Sequence, residues 1–230
     1  PLEPQSWRNV RIQIDGRIQR ESGRGLAGVL VSNGEHVVGT DTDGGYSLQA
    51  DPSAHPFVFV TVPDGFRPGG RFYYPVPDAS GRVDFTLVPD SRRDQRSFSI
   101  AHITDVHVSA AKDGLVSRKM LAADLAQLAE DAAPDLIIAS GDLTDRGSIA
   151  ELVDYRDTIR EASVPVFSLF GNHDGTEEWA SLGCPRPGDS HPGDSHTCTR
   201  NFERVLGPSY YSFDWGGRHF VLYPSEDDFG

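Results

Sequence analysis

Three short motifs contain side chains that bind metal ions, and each motif follows a run of apolar residues. The motifs occupy residues 105–107 (Asp-Val-His), 141–147 (Gly-Asp-Leu-Thr-Asp-Arg-Gly) and 171–174 (Gly-Asn-His-Asp). They recur at intervals of about 30 residues or slightly more, which is the length of one strand–helix–strand unit. Because the carboxyl ends of parallel strands meet at one edge of a sheet, we expect these residues to converge on one site.

Carboxylate, imidazole and amide groups that meet in this way could hold two divalent cations. Two cations about 3.5–4 Å apart concentrate positive charge and provide a nucleophile near neutral pH, which is what attack on an anionic phosphate ester requires. Imidazole nitrogen together with carboxylate oxygen suits zinc, iron or manganese. Each motif alone is also an ordinary turn or helix-cap sequence. Their joint occurrence at successive strand ends predicts a metal-dependent hydrolytic site.

From residue 97 to residue 230 the chain resembles the calcineurin-like metallophosphoesterase superfamily in these motifs. The resemblance implies an α/β/β/α sandwich fold and hydrolysis of a phosphomonoester or phosphodiester by a hydroxide that bridges two divalent or trivalent metal ions. Asp105 and His107 would bind the first ion. Asp142 would bridge both ions, and Asn172 would bind the second ion and lie at the substrate.

The same resemblance assigns the chemistry at the substrate to His173. That imidazole would stabilise the transition state or protonate the leaving alkoxide, and Asp145 would orient its ring. Arg146 would either grip a phosphate oxygen, as in protein Ser/Thr phosphatases, or be a solvated or salt-bridged arginine. His102 and His219 fall inside predicted strands, where we expect core histidines or histidines that support the site.

The superfamily also implies two later histidine motifs, a Gly-His and a Gly-His-x-His, and neither occurs between residues 175 and 230. Four protein ligands are too few to fill the coordination of two metal ions. We therefore expect the phosphoesterase fold to be incomplete at its C-terminal end, or else to belong to a non-catalytic relative.

The first ninety residues have a different pattern, in which short apolar runs alternate with turn residues. The runs cover residues 10–14, 28–32, 36–40, 46–49, 57–62 and 83–88. This pattern predicts an all-β sandwich. Residues 28–48 resemble the prealbumin-like (carboxypeptidase regulatory-like) domains of exported bacterial proteins, so we expect such a domain over residues 1–90.

A polar stretch at residues 89–96 precedes a second pattern, in which strand and helix alternate. Strands are predicted at 98–104, 136–139 and 164–170, with helices at 115–131 and 149–162 between them. Two further strands are predicted at 210–214 and 219–223. Two βαβ units of this kind predict a parallel sheet and an α/β domain over residues 97–230.

Residues 176–200 are predicted to form a loop insertion. It contains a tandem Pro-Gly-Asp-Ser-His repeat at 187–196, whose histidines are either metal ligands or simply solvated. Cys184 and Cys198 lie in the same segment. They are either free thiols or a local disulfide that would stabilise the fold by about 3 kcal/mol. A disulfide would indicate a secreted or periplasmic protein.

The net charge of −13 repels nucleic-acid backbones and anionic lipid, so we expect a small phosphate ester as the partner and no binding of nucleic acid. No apolar run approaches the ~20 residues of a membrane-spanning helix. Two other functions stay open. One is a non-catalytic binding or adhesion protein with a degenerate phosphoesterase scaffold, and the other is a protein phosphatase, suggested by the Asp-Arg-Gly sequence at 145–147.

Overall fold

The chain contains a strand-rich N-terminal region followed by an α/β domain. The computed structural model describes residues 11–77, 80–110, 114–175 and 195–224, without the side chains of 114–116 and 195–198. Contacts divide the chain into two compact units. The first unit comprises Pro1–Gln95 with Tyr211–Phe220, and the second comprises Arg96–Tyr210 with Val221–Gly230.

The N-terminal strands of the first unit form two sheets. The strands are β1 (Ile12–Arg20), β2 (Leu30–Ser32), β3 (Val37–Gly39), β4 (Gly45–Ala50), β5 (Phe57–Val60), β6 (Phe66–Pro68), β7 (Tyr73–Pro75), β8 (Gly81–Arg82) and β9 (Phe85–Pro89). One sheet has the order β4-β1-β9-β6, with β8 also pairing with β1, and the other has the order β3-β2-β5-β7. Side chains from both sheets contribute to one hydrophobic core.

Strand β1 shows why this region forms sheets. Its isoleucines at positions 12, 14 and 18 are buried together with Gly16, while residues 13, 15 and 17 are more exposed, as expected of a strand with one face on a core. Strand β4 pairs antiparallel with it, from Ile12 opposite Ala50 to Arg17 opposite Gly45. The predicted runs correspond to β1–β5 and β9, whereas β6, β7 and β8 were not predicted.

A C-terminal hairpin packs within the first unit, although its residues lie far along the chain. Strands β13 (Tyr211–Trp215) and β14 (Arg218–Leu222) form it. Phe213 makes a parallel bridge with Val62, and the side chain of buried Arg93 donates to the main-chain oxygen of Asp214 at 2.9 Å. Both strands belong to the 97–230 region in which an α/β domain is predicted, whereas contacts group residues 211–220 with the N-terminal strands.

The second unit contains the predicted alternation of strands and helices. The elements are β10 (Ile100–Ile103), α1 (Gly114–Asp131), β11 (Leu136–Ser140), α2 (Ile149–Glu161), β12 (Val166–Leu169) and α3 (Ser195–Val205). The three strands pair in parallel in the order β10-β11-β12, which confirms the predicted parallel sheet.

Residues of this sheet and of the three helices described in this unit form the second core, which supports the loops that follow the strands. Leu121 and Leu125 of α1 are buried in it, as their helical spacing predicted, and Phe202 of α3 joins them. Helix α3 covers the end of the segment that was predicted to be a loop. No helix in the described ranges combines the length and the apolar character needed to cross a membrane.

Candidate metal centre

The three predicted motifs lie in the loops that follow β10, β11 and β12, and hydrogen bonds join these loops to one another. The amide of Asp105 donates to the carbonyl oxygen of Gly141 at 3.3 Å, and the amide of His107 donates to that of Asp142 at 3.0 Å. The amide of His173 donates to Oδ1 of Asp142 at 3.0 Å. The parallel sheet therefore brings the motifs together, as their spacing predicted.

Three of the four predicted metal ligands have strained backbones. Asp105, His107 and Asp142 have φ values of 54°, 48° and 50°, in the left-handed region that residues with a side chain rarely adopt. Each costs roughly 1–2 kcal/mol, so the conformation persists only where the surroundings hold it. Such strain is concentrated at functional sites, and of the four non-glycine residues with positive φ in the described part of the chain, only Ala133 lies outside the motifs.

Two groups of potential metal ligands form within the described residues. Asp105, His107 and Asp142 make one group; His107, Asp145 and His173 make the other, and in each group the ligand atoms lie within 4.8 Å of one another. Ligand bonds of about 2.0–2.2 Å bring two ligands of one zinc ion within about 4.4 Å of each other. Small side-chain movements would close either group around a cation, so these residues fit a divalent metal ion.

The two histidines at the centre of these groups are in direct contact. The rings of His107 and His173 have centroids 4.6 Å apart and planes 86° apart. Nε2 of His107 lies 3.9 Å from Oδ1 of Asp105, and Oδ2 of Asp105 accepts a hydrogen bond from Thr104 at 2.7 Å. The first motif therefore already directs one imidazole and one carboxylate toward the same place.

The ring of His173 is oriented by Asp145, through a different atom from the one predicted. Nδ1 of His173 lies 2.9 Å from the main-chain oxygen of Asp145 rather than forming this bond with its carboxylate. A carbonyl oxygen can only accept a hydrogen bond, so Nδ1 carries the proton and Nε2 is the nitrogen left for chemistry. The Asp145 carboxylate instead lies 3.4 Å from Nε of Arg146.

Arg146 and Asn172, the residues assigned to the substrate, lie beside the metal-binding groups in the chain. The Arg146 side chain is 68% exposed and forms the salt bridge with Asp145, which is the alternative that the sequence analysis kept beside a phosphate contact. Asn172 is half-buried and begins a 3₁₀ turn, Asn172–Asp174, which starts three residues after the end of β12. It is therefore adjacent to His173 at the tip of the third loop.

Asp174, to which the sequence analysis gave no role, fastens the second loop to the third. Its fully buried carboxylate accepts hydrogen bonds from the amide and hydroxyl of Thr144, both at 2.8 Å, and from the amides of Leu143 at 3.2 Å and Gly171 at 3.0 Å. Burial raises the pKa of this carboxyl to about 6, while the hydrogen bonds from these three residues lower it.

Glu151 joins the first and second loops in a similar way. It forms a capping box with Ser148 at the start of α2, and it is almost completely buried. Its carboxylate also accepts from the amide of Ala110 at 3.2 Å and from that of Arg146 at 3.1 Å. The sequence signal was present, since Ser148 is followed three residues later by Glu151, the spacing of a capping box.

Two glycines allow the second and third loops to approach closely. A Cβ atom on Gly171 would lie 2.2 Å from the amide nitrogen of Asp142, and one on Gly147 would lie 1.6 Å from the main-chain oxygen of Gly175. Gly147 also has a φ of 64°. The glycines that frame the motifs are therefore required by backbone contact.

The remaining histidines and cysteines considered in the sequence belong to neither group of potential metal ligands. His102 is exposed and bonded to Ser140 at 2.6 Å, and His219 is exposed and bonded to Asp214 at 2.7 Å, so neither is a core histidine. The alternative, a histidine that supports the site, stays a prediction. The cysteine pair and the histidines of the tandem repeat lie outside the described side chains.

Comparison with known proteins identifies the family of this chain. Residues 98–227, more than half of the chain, match the calcineurin-like phosphoesterase family, and residues 12–90 match the N-terminal region described for calcineurin-like phosphoesterases. A stretch of 100 residues is 38% identical to a Synechococcus sp. protein named "Probable cyclic nucleotide phosphodiesterase". That match covers 42% of this chain and 39% of the relative, so the chain spans well under half of the relative's length. The chain belongs to the calcineurin-like phosphoesterase family.

Proposed function

We propose that this protein hydrolyses a phosphodiester with the help of two divalent metal ions held by the three loops. The observation that carries the proposal is the grouping of Asp105, His107 and Asp142, with ligand atoms within 4.8 Å of one another on strained backbones. The third loop, whose His173 amide donates to Oδ1 of Asp142, would bring the amide of Asn172 as a further donor for a second ion. Zinc, manganese and iron all suit these donors.

Asp105 and His107 would hold the first ion, Asp142 would lie between the two, and Asn172 would add an amide oxygen to the second. When bound, the ions would neutralise phosphate oxygens and lower the pKa of water near them. The carboxylate of Asp142 is already partly oriented, because Oδ1 accepts the amide of His173. Holding one oxygen in place leaves the other to face a cation.

His173 would transfer a proton at the leaving group. Its Nδ1–H is engaged by the main-chain oxygen of Asp145, so the ring can gain and lose a proton only at Nε2. An imidazolium at this position would donate from Nε2 to the departing alkoxide. Asp145 would thus act as a positioning residue through its main chain.

A phosphodiester is the substrate class that we favour. The named Synechococcus relative motivates the choice, and a 3′,5′-cyclic nucleotide is therefore the first substrate to examine. The exposed Arg146 side chain would be available to a phosphate oxygen only after leaving its surface ion pair with Asp145, a contact worth about 0–1 kcal/mol.

Hydrolysis assays with Mn²⁺ or Zn²⁺ test this function. The protein should release p-nitrophenol from bis-p-nitrophenyl phosphate faster than from p-nitrophenyl phosphate, hydrolyse 3′,5′-cyclic AMP, and lose both activities when chelator removes the metal. Faster hydrolysis of the monoester would contradict the phosphodiester assignment. Activity that survives complete metal removal would contradict the metal-dependent mechanism. A protein that holds no stoichiometric metal and hydrolyses none of these esters would favour the binding or adhesion protein.

A further inference from the structure

A cavity in the first unit is lined by three arginines that the proposed hydrolysis does not use. Its volume is about 430 Å³, within the range of small-molecule pockets. Arg17 and Arg20 reach it from β1, and Arg24 from the turn that follows. Residues 25–27 and 42–43 complete its wall, and Asp43 is the one acidic residue among those lining it.

Arg17 and Arg20 are held in place, and no ion pair of the three arginines occurs among the described residues. Nε of Arg17 donates to the main-chain oxygen of Asp43 at 2.8 Å, and the guanidinium of Arg20 lies 5.0 Å from the centroid of the Phe66 ring. The Nε of Arg20 is buried and has no hydrogen-bond partner in the described part of the chain. Within that part, the ion pairs of the protein involve other arginines.

Backbone contacts make the wall of this cavity rigid. A Cβ atom on Gly25 would lie 2.0 Å from the main-chain oxygen of Asp43, and one on Gly44 would lie 2.3 Å from that of Ile18. The amide of Ile18 donates to the oxygen of Gly44 at 2.8 Å, and the amide of Leu26 donates to the oxygen of Ile18 at 2.9 Å. The guanidinium groups therefore project from a fixed frame, which reduces the entropy lost on binding a ligand.

The geometry points to this arginine cavity as a binding site for a small phosphorylated molecule. Guanidinium forks match phosphate oxygens in pairs of hydrogen bonds, and an unpaired cluster of them in a protein of net charge −13 attracts anions locally. The volume exceeds that of a phosphate group, so it leaves space for an organic body. The site shares no residue with the metal centre.

Calorimetric titration of the metal-free protein tests this site, because chelation removes the ions that would draw phosphate to the metal centre. Glucose 6-phosphate and inorganic phosphate are the two probes, at low ionic strength. Glucose 6-phosphate should bind, and the amides of Gly25 and Gly44 should shift in NMR spectra during the titration. Tighter binding of the sugar phosphate assigns the space beside the arginines to the organic body, and equal binding assigns the site to the phosphoryl group alone.

Three variants locate the binding. Arg17→Gln/Arg20→Gln should weaken it by roughly ten- to a hundredfold, since two charge-assisted contacts are lost. Arg24→Glu, a charge reversal at an exposed position, should weaken it by about tenfold or more without the loss of the Phe66 contact. Arg67→Gln/Arg71→Gln, which removes the same charge from exposed positions outside the cavity, should bind as the wild type does.

Circular dichroism and thermal melting identify the variants that keep the fold. The assignment is wrong if wild-type protein does not bind millimolar glucose 6-phosphate, if a folded Arg24→Glu variant binds as tightly as the wild type, or if the Arg67/Arg71 control loses as much affinity as the cavity variants.

Discussion

Asp105, His107 and Asp142 all have left-handed backbones, although they lie in only two loops. A turn needs no aspartate or histidine in that conformation, since glycine adopts it without strain. Aspartate and histidine at these positions raise the free energy of the folded chain, which is understandable when their side chains perform a function. The strain is balanced by main-chain hydrogen bonds between the first and second loops and by the buried carboxylates of Glu151 and Asp174.

His173→Ala should lower kcat by about 10²- to 10⁴-fold, because the proton donor at the leaving group is removed. Metal content should stay nearly unchanged, since the other ligands remain. Steady-state kinetics and metal analysis of the same preparation measure both quantities. His219→Ala, at an exposed histidine of the C-terminal hairpin, is the control and should leave kcat unchanged. Wild-type kcat in His173→Ala would rule out the role assigned to this residue.

Asp174→Asn should lower the free energy of unfolding by about 2–4 kcal/mol. The carboxylate accepts four hydrogen bonds with both oxygens, and an amide NH₂ would face donors where one oxygen now accepts. Urea denaturation of the metal-free protein measures the loss. Asp124→Asn, at an exposed position of α1, should change stability by less than about 0.5 kcal/mol. Equal stability of the two variants would show that Asp174 does not fasten the loops.

At the scale of elements, β10, α1, β11, α2 and β12 could be predicted because each has a distinct apolar pattern and a length typical of its class. Strands β6–β8 could not, because β6 and β7 end in proline and β8 has only two residues. Helix α3 was missed because its sequence is polar and follows a segment rich in Gly, Pro and Ser. These elements depend on packing with distant residues, which periodicity does not report.

For the candidate site, the loops could be predicted from the sequence, but the contacts between their side chains and main chains could not. The motifs identified the loops, because the ends of parallel strands converge whatever the details of the side chains. The bond between His173 and the main chain of Asp145 could not be predicted, since any residue at position 145 presents the same carbonyl oxygen. The buried position of Asp174 depends on how closely Gly171 approaches Asp142, which only the structure gives.

Gly171→Ala should weaken metal binding by about tenfold or more. Its φ lies outside the left-handed region, so the backbone tolerates alanine, but the new methyl would lie 2.2 Å from the Asp142 amide and 2.6 Å from Oδ1 of Asp142. The two loops would have to separate, which moves a proposed ligand. Gly39→Ala, where a Cβ meets no atom within 4 Å, is the control. Titration with Mn²⁺ measures the metal affinity of both variants. Equal affinities would mean that the distance between the second and third loops does not affect metal binding.

At the scale of the whole molecule, the chain passes from the first unit to the second, returns to the first at Tyr211–Phe220, and then re-enters the second. The returning hairpin completes the packing of the N-terminal strands. Ser212 bonds to Thr61 at 2.8 Å, and the amide of Gly217 donates to Asp64 at 2.7 Å. A fragment that ends before the hairpin would therefore lack part of the first unit.

Arg93→Ala should lower the free energy of unfolding by about 2–4 kcal/mol. The guanidinium carbon lies 5.0 Å from the Trp215 ring centroid and 5.7 Å from that of Phe213, in a buried position that alanine would leave empty. Arg92→Ala removes the ion pair that the exposed Arg92 side chain makes with the largely buried carboxylate of Asp90, and should cost less, about 1 kcal/mol. Denaturation followed by tryptophan fluorescence compares them. A loss in Arg93→Ala no greater than that in Arg92→Ala would show that this contact does not hold the hairpin.

Metal stoichiometry tests the central claim most directly. Equilibrium dialysis against Mn²⁺ followed by elemental analysis should find one to two ions bound per chain in the wild type. Asp142→Ala removes the carboxylate proposed to lie between the two ions, so it should bind less than one ion under the same conditions while its circular dichroism stays that of the wild type. Absence of bound metal in the wild type, or equal metal in a folded Asp142→Ala variant, would contradict the account.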